Sequence, residues 1–281
     1  MSGVSMADLR YRQRRAISGK GPEPGQFGHS LTGLALDSQG LLYASGDSEI
    51  KAFDTAGRLR SRWRTQRPAL AVAVSRDGRV YAGEEGQIEI FDAAAKAARV
   101  WRDDQMLGRV TAIGFSGDTV LAGDAAGRAI RRFDRAGRIL NVIGADNNVG
   151  GLLIPNGVVS FDVDSGGVIH AANPGKHRVE RYSPDGTLLG HFGKFSFDNP
   201  AGFTGCCNPT NVAVSGRIYV TEKAGPRLKA YSRDGEFQGV LAAECFDPNC
   251  KNIPVHACPR GIVYAADTVR LQILAFEPEA A

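Results

Sequence analysis

Two adjacent cysteines, Cys206 and Cys207, stand in the stretch GFTGCCNPTNVAV, just before an apolar run. The 281-residue chain has five cysteines; Cys245 and Cys250 form a second pair in CFDPNC, and Cys258 follows alone in ACPRG. Four chemistries fit the first four. Cys206 and Cys207 could close a vicinal disulfide, an eight-membered ring through the peptide bond that survives only if its surroundings hold it. Such a ring offers a hard apolar platform for a ligand, or a readily reduced couple. Alternatively, Cys245 and Cys250 could pair while Cys206 and Cys207 stay thiols. All four could bind a metal or an iron–sulfur centre, although the spacing matches only half of the paired pattern that zinc sites use. In the fourth case all are inert. Cys258 reads as a free structural cysteine.

The stretch TEKAGPRLK places Glu222, Lys223 and Arg227 close by in sequence. A cation beside a thiol favours the thiolate, so Lys223 or Arg227 could lower the pKa of Cys206 or Cys207. The competing reading is a solvated surface network of Glu, Lys and Arg.

Other motifs fail on inspection. DVDSGG at Asp162 mimics half a calcium loop, lacks the remaining ligands and reads as a turn. GKGPEPG is no phosphate loop, because no strand-then-helix context surrounds it. The five histidines, His29, His170, His177, His191 and His256, show no metal-ligand spacing. No Gly-x-Ser-x-Gly elbow occurs, and no Ser/His/Asp arrangement can be assembled.

The bulk composition narrows the classes. The net charge of +4 is too weak to argue for nucleic acid, and the basic run RYRQRR is short enough to be a solvated strand edge. No apolar run approaches the roughly 18 residues of a membrane helix. The opening MSGVSMADLRYRQRR lacks the apolar core of a signal peptide, so either the protein is cytoplasmic or a leader has been removed. The 35 glycines, spread evenly, require many tight turns.

The elements that must position these residues repeat. An aromatic residue followed by a turn recurs as FDTAGR at Phe53, FDAAAK at Phe91, FDRAGR at Phe133, YSPDGT at Tyr182, YSRDGE at Tyr231 and FEPE at Phe276. The spacings are 38, 42, 49, 49 and 45 residues. Before each copy runs a β-rich segment ending in a polar residue: Asp47, Glu84, Asp124, Asn173, Glu222 and Asp267. Upstream again lies an apolar strand and a turn, as in LTGLALDSQG, LAVAVSRDG and VVSFDVDSGG. Each unit reads as a four-stranded antiparallel blade, and six units fill the chain as one domain spanning residues 1–281. The predicted fold is therefore an all-β, six-bladed β-propeller. Its innermost strands are the most apolar, as expected for strands buried on both faces. The sixth unit stops after three strands, and residues 9–18 are expected to supply the fourth and close the ring.

This architecture puts the loop into each innermost strand and the loop after each second strand on one face, the top. Asp47, Asp124, Asn173, Glu222 and Asp267 there, with Asn156, are candidate ligands for a divalent cation at the pore mouth. The competing reading is that each polar side chain caps its own turn. Long top loops at 144–156, 193–208 and 243–254 place the expected binding surface over blades 4 to 6. Cys258 falls at the opposite end, and His256 lies in the innermost strand of blade 6.

The repeats, as in GRVYAGEEGQIEIFDAAAK and GVIHAANPGKHRVERYSPDGTLLGHFG, resemble NHL repeats over residues 30–278. GCCNPTNVAV, VTEKAGPRLKAYSRDG and NPGKHRVERYSPDGTL resemble more narrowly a group of uncharacterised bacterial NHL proteins with a Gly-Cys-Cys-Asn-Pro motif. That group often carries a further cysteine where Thr204 stands here. The resemblance implies an extracytoplasmic location and no established activity. A distant likeness to gluconolactonase-like and strictosidine-synthase-like propellers implies a site at the top face. The scattered histidines differ from the zinc site of the NHL-type peptide-amidating lyase.

The leading expectation is a module that binds a protein or small-molecule ligand on the top face of blades 4 to 6, with Cys206–Cys207 as a redox-sensitive or ligand-contacting element. The alternatives are a cation-dependent hydrolase or lyase at the pore mouth, and an electron-transfer accessory protein with a cysteine-bound metal or iron–sulfur centre.

Overall fold

The computed structural model describes residues 9–279 apart from 93, 95, 104–106, 147–149 and 224, so parts of FDAAAK, TEKAGPRLK and the 144–156 loop lie outside the described residues. The strands form six four-stranded antiparallel sheets. Strand β1 (Tyr11–Ser18) comes first in the chain. Blade 1 follows with β2 (Gly33–Leu36), β3 (Leu42–Gly46), β4 (Glu49–Phe53) and β5 (Leu59–Arg64). Blade 2 holds β6 (Ala71–Val74), β7 (Val80–Glu84), β8 (Gln87–Phe91) and β9 (Ala97–Arg102). Blade 3 holds β10 (Val110–Ser116), β11 (Thr119–Asp124), β12 (Ala129–Phe133) and β13 (Ile139–Ile143). Blade 4 holds β14 (Phe161–Val163), β15 (Ile169–Asn173), β16 (Arg178–Tyr182) and β17 (Leu188–Phe192), with one 3₁₀ turn at Pro174–Lys176. Blade 5 holds β18 (Asn211–Ser215), β19 (Arg217–Glu222), β20 (Arg227–Tyr231) and β21 (Phe237–Ala243). Blade 6 holds β22 (Val255–Ala257), β23 (Val263–Asp267) and β24 (Gln272–Pro278), and β1 completes it.

The ring closes as the sequence predicts. Tyr11 pairs with Pro278 and Ser18 with Gln272, across a bulge between Gln13 and Arg15. The last blade thus gains its fourth strand from the start of the chain, and the free edge of β24 is paired.

The repeated motif has a local and a tertiary job. In FDTAGR the Asp54 carboxylate accepts the N–H groups of Ala56 and Arg58, each at 2.9 Å. This is the side-chain-to-backbone turn that aspartate favours. In the matching turn of blade 3, Gly137 has a φ of 88° and packs so close that a Cβ would lie 2.9 Å from the Trp101 indole. The aromatic before each turn locks neighbouring blades. Trp63 of blade 1 meets Phe91 of blade 2 with ring centroids 5.8 Å apart, and Phe192 of blade 4 meets Tyr231 of blade 5 at 4.9 Å. Ile17 of β1 joins the same buried cluster as Phe53. Each of the six core clusters spans one blade-to-blade interface. Burying each such aromatic contributes roughly 1.5–3 kcal/mol.

One expectation is corrected. The second strands, not the innermost, are the most deeply buried: β7, β15 and β23 are buried at every position, whereas β10 and β14 are largely half-buried. The innermost strands line a central channel of 250 Å³, so their inward side chains keep some exposure. The second strands are covered by blades on both sides. His256 and Asp162 line that channel. Burial pushes the His256 pKa down to about 4 and that of Asp162 up to about 6. Asp162 also ties blade 4 to blade 5 by accepting the Val214 N–H at 2.7 Å.

Candidate functional site on the rim of blades 5 and 6

The polar residues that end the second strands are consumed within their own blades. Asp47 accepts the N–H groups of Gly28, His29 and Ser30. Asp124 accepts those of Ala126 and Gly127 and pairs with Arg131 at 2.9 Å. Asn173 accepts the Leu153 N–H at 3.2 Å. Asp267 accepts the N–H groups of Asp247, Val269 and Arg270 and the Cys250 thiol. Asn156 stands in the loop before blade 4 with both side-chain polar atoms buried and unpartnered. Among the described residues no three His, Cys, Asp or Glu side chains converge as metal ligands. Asp47, Asp124, Glu222 and Asp267 therefore form no three-carboxylate cluster among the described residues. At Asp47, Asp124 and Asp267 the physical reason is that the strand end presents loop N–H groups that the carboxylate satisfies.

The four cysteines of the upper loops also separate into two kinds. All five cysteines are free thiols. Cys250 is buried and donates to Asp267 at 3.3 Å, and Cys245 packs against the blade 5–6 core. Burial pushes the Cys245 pKa up to about 11 and raises that of Cys250. Cys206 and Cys207, by contrast, hold their sulfurs 3.1 Å apart, with Cys206 exposed and Cys207 buried. A hydrogen bond from Cys207, then the charge of Lys223, lowers the Cys206 pKa. Burial, then the bond to Cys206, raises that of Cys207, against the lowering influence of Lys223.

Blade 5 clamps the loop that carries this pair. Lys229 of β20 is fully buried and donates to the carbonyls of Pro200 at 2.9 Å and Gly202 at 2.6 Å. It stands 3.1 Å from Glu222, whose carboxylate also pairs with Arg227 at 2.8 Å. Tyr231 donates to the Ala201 carbonyl at 3.0 Å. Past the pair, the Asn208 amide donates to the carbonyls of Thr204 and Lys223 and accepts the Lys223 N–H. The His177 ring meets the Gly205 carbonyl at 2.7 Å from blade 4. Glu222 and Arg227 form an ion-pair network beneath the loop and both bond Thr204, while Lys223 is the cation that acts on the cysteine pair.

Beside the pair opens a groove of 790 Å³ between the rims of blades 5 and 6. Its walls include Phe197, Thr204, Arg227, Phe246 and Pro248. Phe197 is 73% exposed and stacks edge-on with Phe195, which stacks on His177. Arg227 has a side chain only 26% exposed, and its Nε is buried without a partner. Phe195, Phe197, Lys229 and Asn208 were not singled out in the sequence. KFSF was visible only as part of a long loop, and a lysine in the middle of an apolar strand, RLKAY, was the missed sign of a buried cation.

No protein-family model matches the chain, and no curated protein matches it. Solved structures do. A protein of unknown function from Bacteroides thetaiotaomicron superposes with a TM-score of 0.70 at 13% identity, over 96% of this chain and 76% of its own. Virginiamycin B lyase from Staphylococcus aureus gives 0.63 at 10% identity, over 96% and 100%. A chain of the mitotic checkpoint complex gives 0.65 at 14% identity, over 100% and 95%. The likeness is one of fold. At such identities it establishes a propeller and transfers no activity.

Proposed function

We propose that this propeller is a binding module of NHL type that seats a protein segment in the groove between the rims of blades 5 and 6. The carrying observation is the groove itself: a trough walled by Phe197, Phe246 and Pro248, whose polar lining is Thr204, Arg227 and Glu244. Its size suits one or two large side chains, and apolar walls with few polar groups are the usual make-up of such sites. The exposed Phe197 is an aromatic anchor of the type that dominates interface energetics. Arg227 supplies a donor for a backbone carbonyl or carboxylate of the segment. Cys206 follows Gly205 of the groove wall in sequence and is the ligand-contacting, redox-sensitive element of this face.

A phage-displayed peptide library panned on the intact chain tests this. Selected peptides should carry aromatic or aliphatic side chains and lose about tenfold or more in affinity with Phe197→Ala. Leu140→Ala, at another exposed apolar position far along the ring on blade 3, should leave affinity unchanged. Peptides indifferent to Phe197→Ala would overturn the proposal.

A further inference from the structure

The two sulfurs of the pair are unequal by position. Cys206 is exposed and follows Gly205 of the groove wall in sequence; Cys207 is buried, 3.1 Å away, within reach of the same sulfur and of little else in solution. Lys223 serves both: its positive charge favours the thiolate of Cys206 and of Cys207. The backbone around them is held from three sides, by Asn208, His177 and Lys229. We propose that Cys206 and Cys207 form a thiol–disulfide exchange couple, with Cys206 attacking and Cys207 resolving, directed at a disulfide-bearing protein segment in the adjoining groove. The identity of the substrate rests on the groove reading; the chemistry of the couple does not.

The first step is attack by the Cys206 thiolate on one sulfur of the substrate disulfide. The substrate S–S bond breaks, a mixed disulfide forms on Cys206, and the released thiolate takes a proton from water. Cys207 then loses its proton to water, its thiolate held by Lys223, and attacks the Cys206 sulfur. The mixed disulfide breaks, the Cys206–Cys207 bond forms, and the second substrate sulfur leaves and is protonated. The pair has lost two electrons and two protons, and the substrate disulfide has gained them as two thiols. A separate dithiol reductant returns the pair to its starting state. The low exposure and raised pKa values of Cys245 and Cys250, and the location of Cys258 in the turn between β22 and β23 at the far end of the ring, leave this pair as the reactive thiols of the native rim.

Native protein treated with 5,5′-dithiobis(2-nitrobenzoate), read by thionitrobenzoate release and intact mass, tests the couple. Wild type should release two equivalents per chain and finish with no aryl adduct. Cys207→Ser should release one and keep the adduct on Cys206, and Cys206→Ser should react at under about a tenth of the wild-type rate. A lasting adduct on wild type, or a Cys206→Ser variant as fast as wild type, would overturn it. Phenylarsine oxide needs no variant. It should condense with both thiols of wild type, releasing water, and come off with 2,3-dimercaptopropanol but not with a monothiol; no binding would also overturn the couple. The groove is tested separately, with a peptide disulfide carrying an aromatic side chain against glutathione disulfide. The peptide should react at least about tenfold faster, and Phe197→Ala should erase that preference. Equal rates, with the reagent results intact, would remove the groove as the substrate site and leave the couple standing.

Discussion

Lys229→Met isolates the charge that holds the cysteine loop. Methionine keeps the apolar stem and most of the volume, so the change removes the donors and the positive charge and little packing. Lys229 and Glu222 are both 0% exposed, 3.1 Å apart. Two carbonyls, of Pro200 and Gly202, lose their donor, at about 1 kcal/mol each. Glu222 keeps Arg227 at 2.8 Å but loses its second cation in a buried setting. Breaking a buried pair in this way, those two bonds included, costs about 3–5 kcal/mol. For a chain of 281 residues, 4 kcal/mol corresponds to a melting-temperature drop of about 7 °C. Urea unfolding with matched slopes measures the loss directly. The double variant Glu222→Gln/Lys229→Met removes both buried charges and should regain at least half of it. Cys207 should alkylate faster in Lys229→Met, because the loop has lost its floor. A single variant that loses less than about 1 kcal/mol, or a double variant equal to the sum of the singles, would refute the account.

Three further outcomes follow from other parts of the ring. Blade 2 places Glu84 and Glu89 together where blades 3 and 5 pair an acid with Arg131 or Lys229, and burial, then the hydrogen bond and charge of Glu89, against the Gln87 bond, push the Glu84 pKa up to about 8. The folded chain then holds a proton that the unfolded chain releases above its ordinary value near 4.5, so stability should fall as pH rises from about 4.5 to 8. Urea midpoints at pH 5 and 9 should differ less in Glu84→Gln than in wild type, and equal differences would remove Glu84 as the cause. Ile17→Ala, which empties a 3% exposed position of the closing strand against Phe53, should cost about 3 kcal/mol by urea unfolding. Lys223→Ala should shift the pH at which Cys206 begins to alkylate upward, with iodoacetamide kinetics as the readout; an unmoved profile would show that the Cys207 hydrogen bond alone lowers the Cys206 pKa.

Much of the architecture was legible because its cause is repeated. The aromatic at Phe53, Phe91, Phe133, Tyr182, Tyr231 and Phe276 does one job at every blade interface, so its spacing counts the blades. The incomplete sixth unit and the surplus β1 announced the closure for the same reason. Burial was misjudged where sequence periodicity could not see the channel: β10 and β14 are apolar, yet face open space.

The site was legible in its parts and not in its assembly. Cys206, Cys207, Glu222, Lys223 and Arg227 are marked by type and spacing, and a vicinal pair needs no tertiary contact to be noticed. The pore-mouth carboxylates were also marked, but their use was decided by which orphan N–H groups lay nearest, and Asp47, Asp124 and Asp267 each went to their own loops. Which sulfur is exposed, where Phe197 stands, and that Lys229 is a buried cation depend on how the 193–208 loop folds over blade 5. Short-range patterns, repeated six times, determined the ring from sequence alone. The groove and the inequality of Cys206 and Cys207 occur once each and arise from contacts between residues tens of positions apart, so only the tertiary structure could decide them.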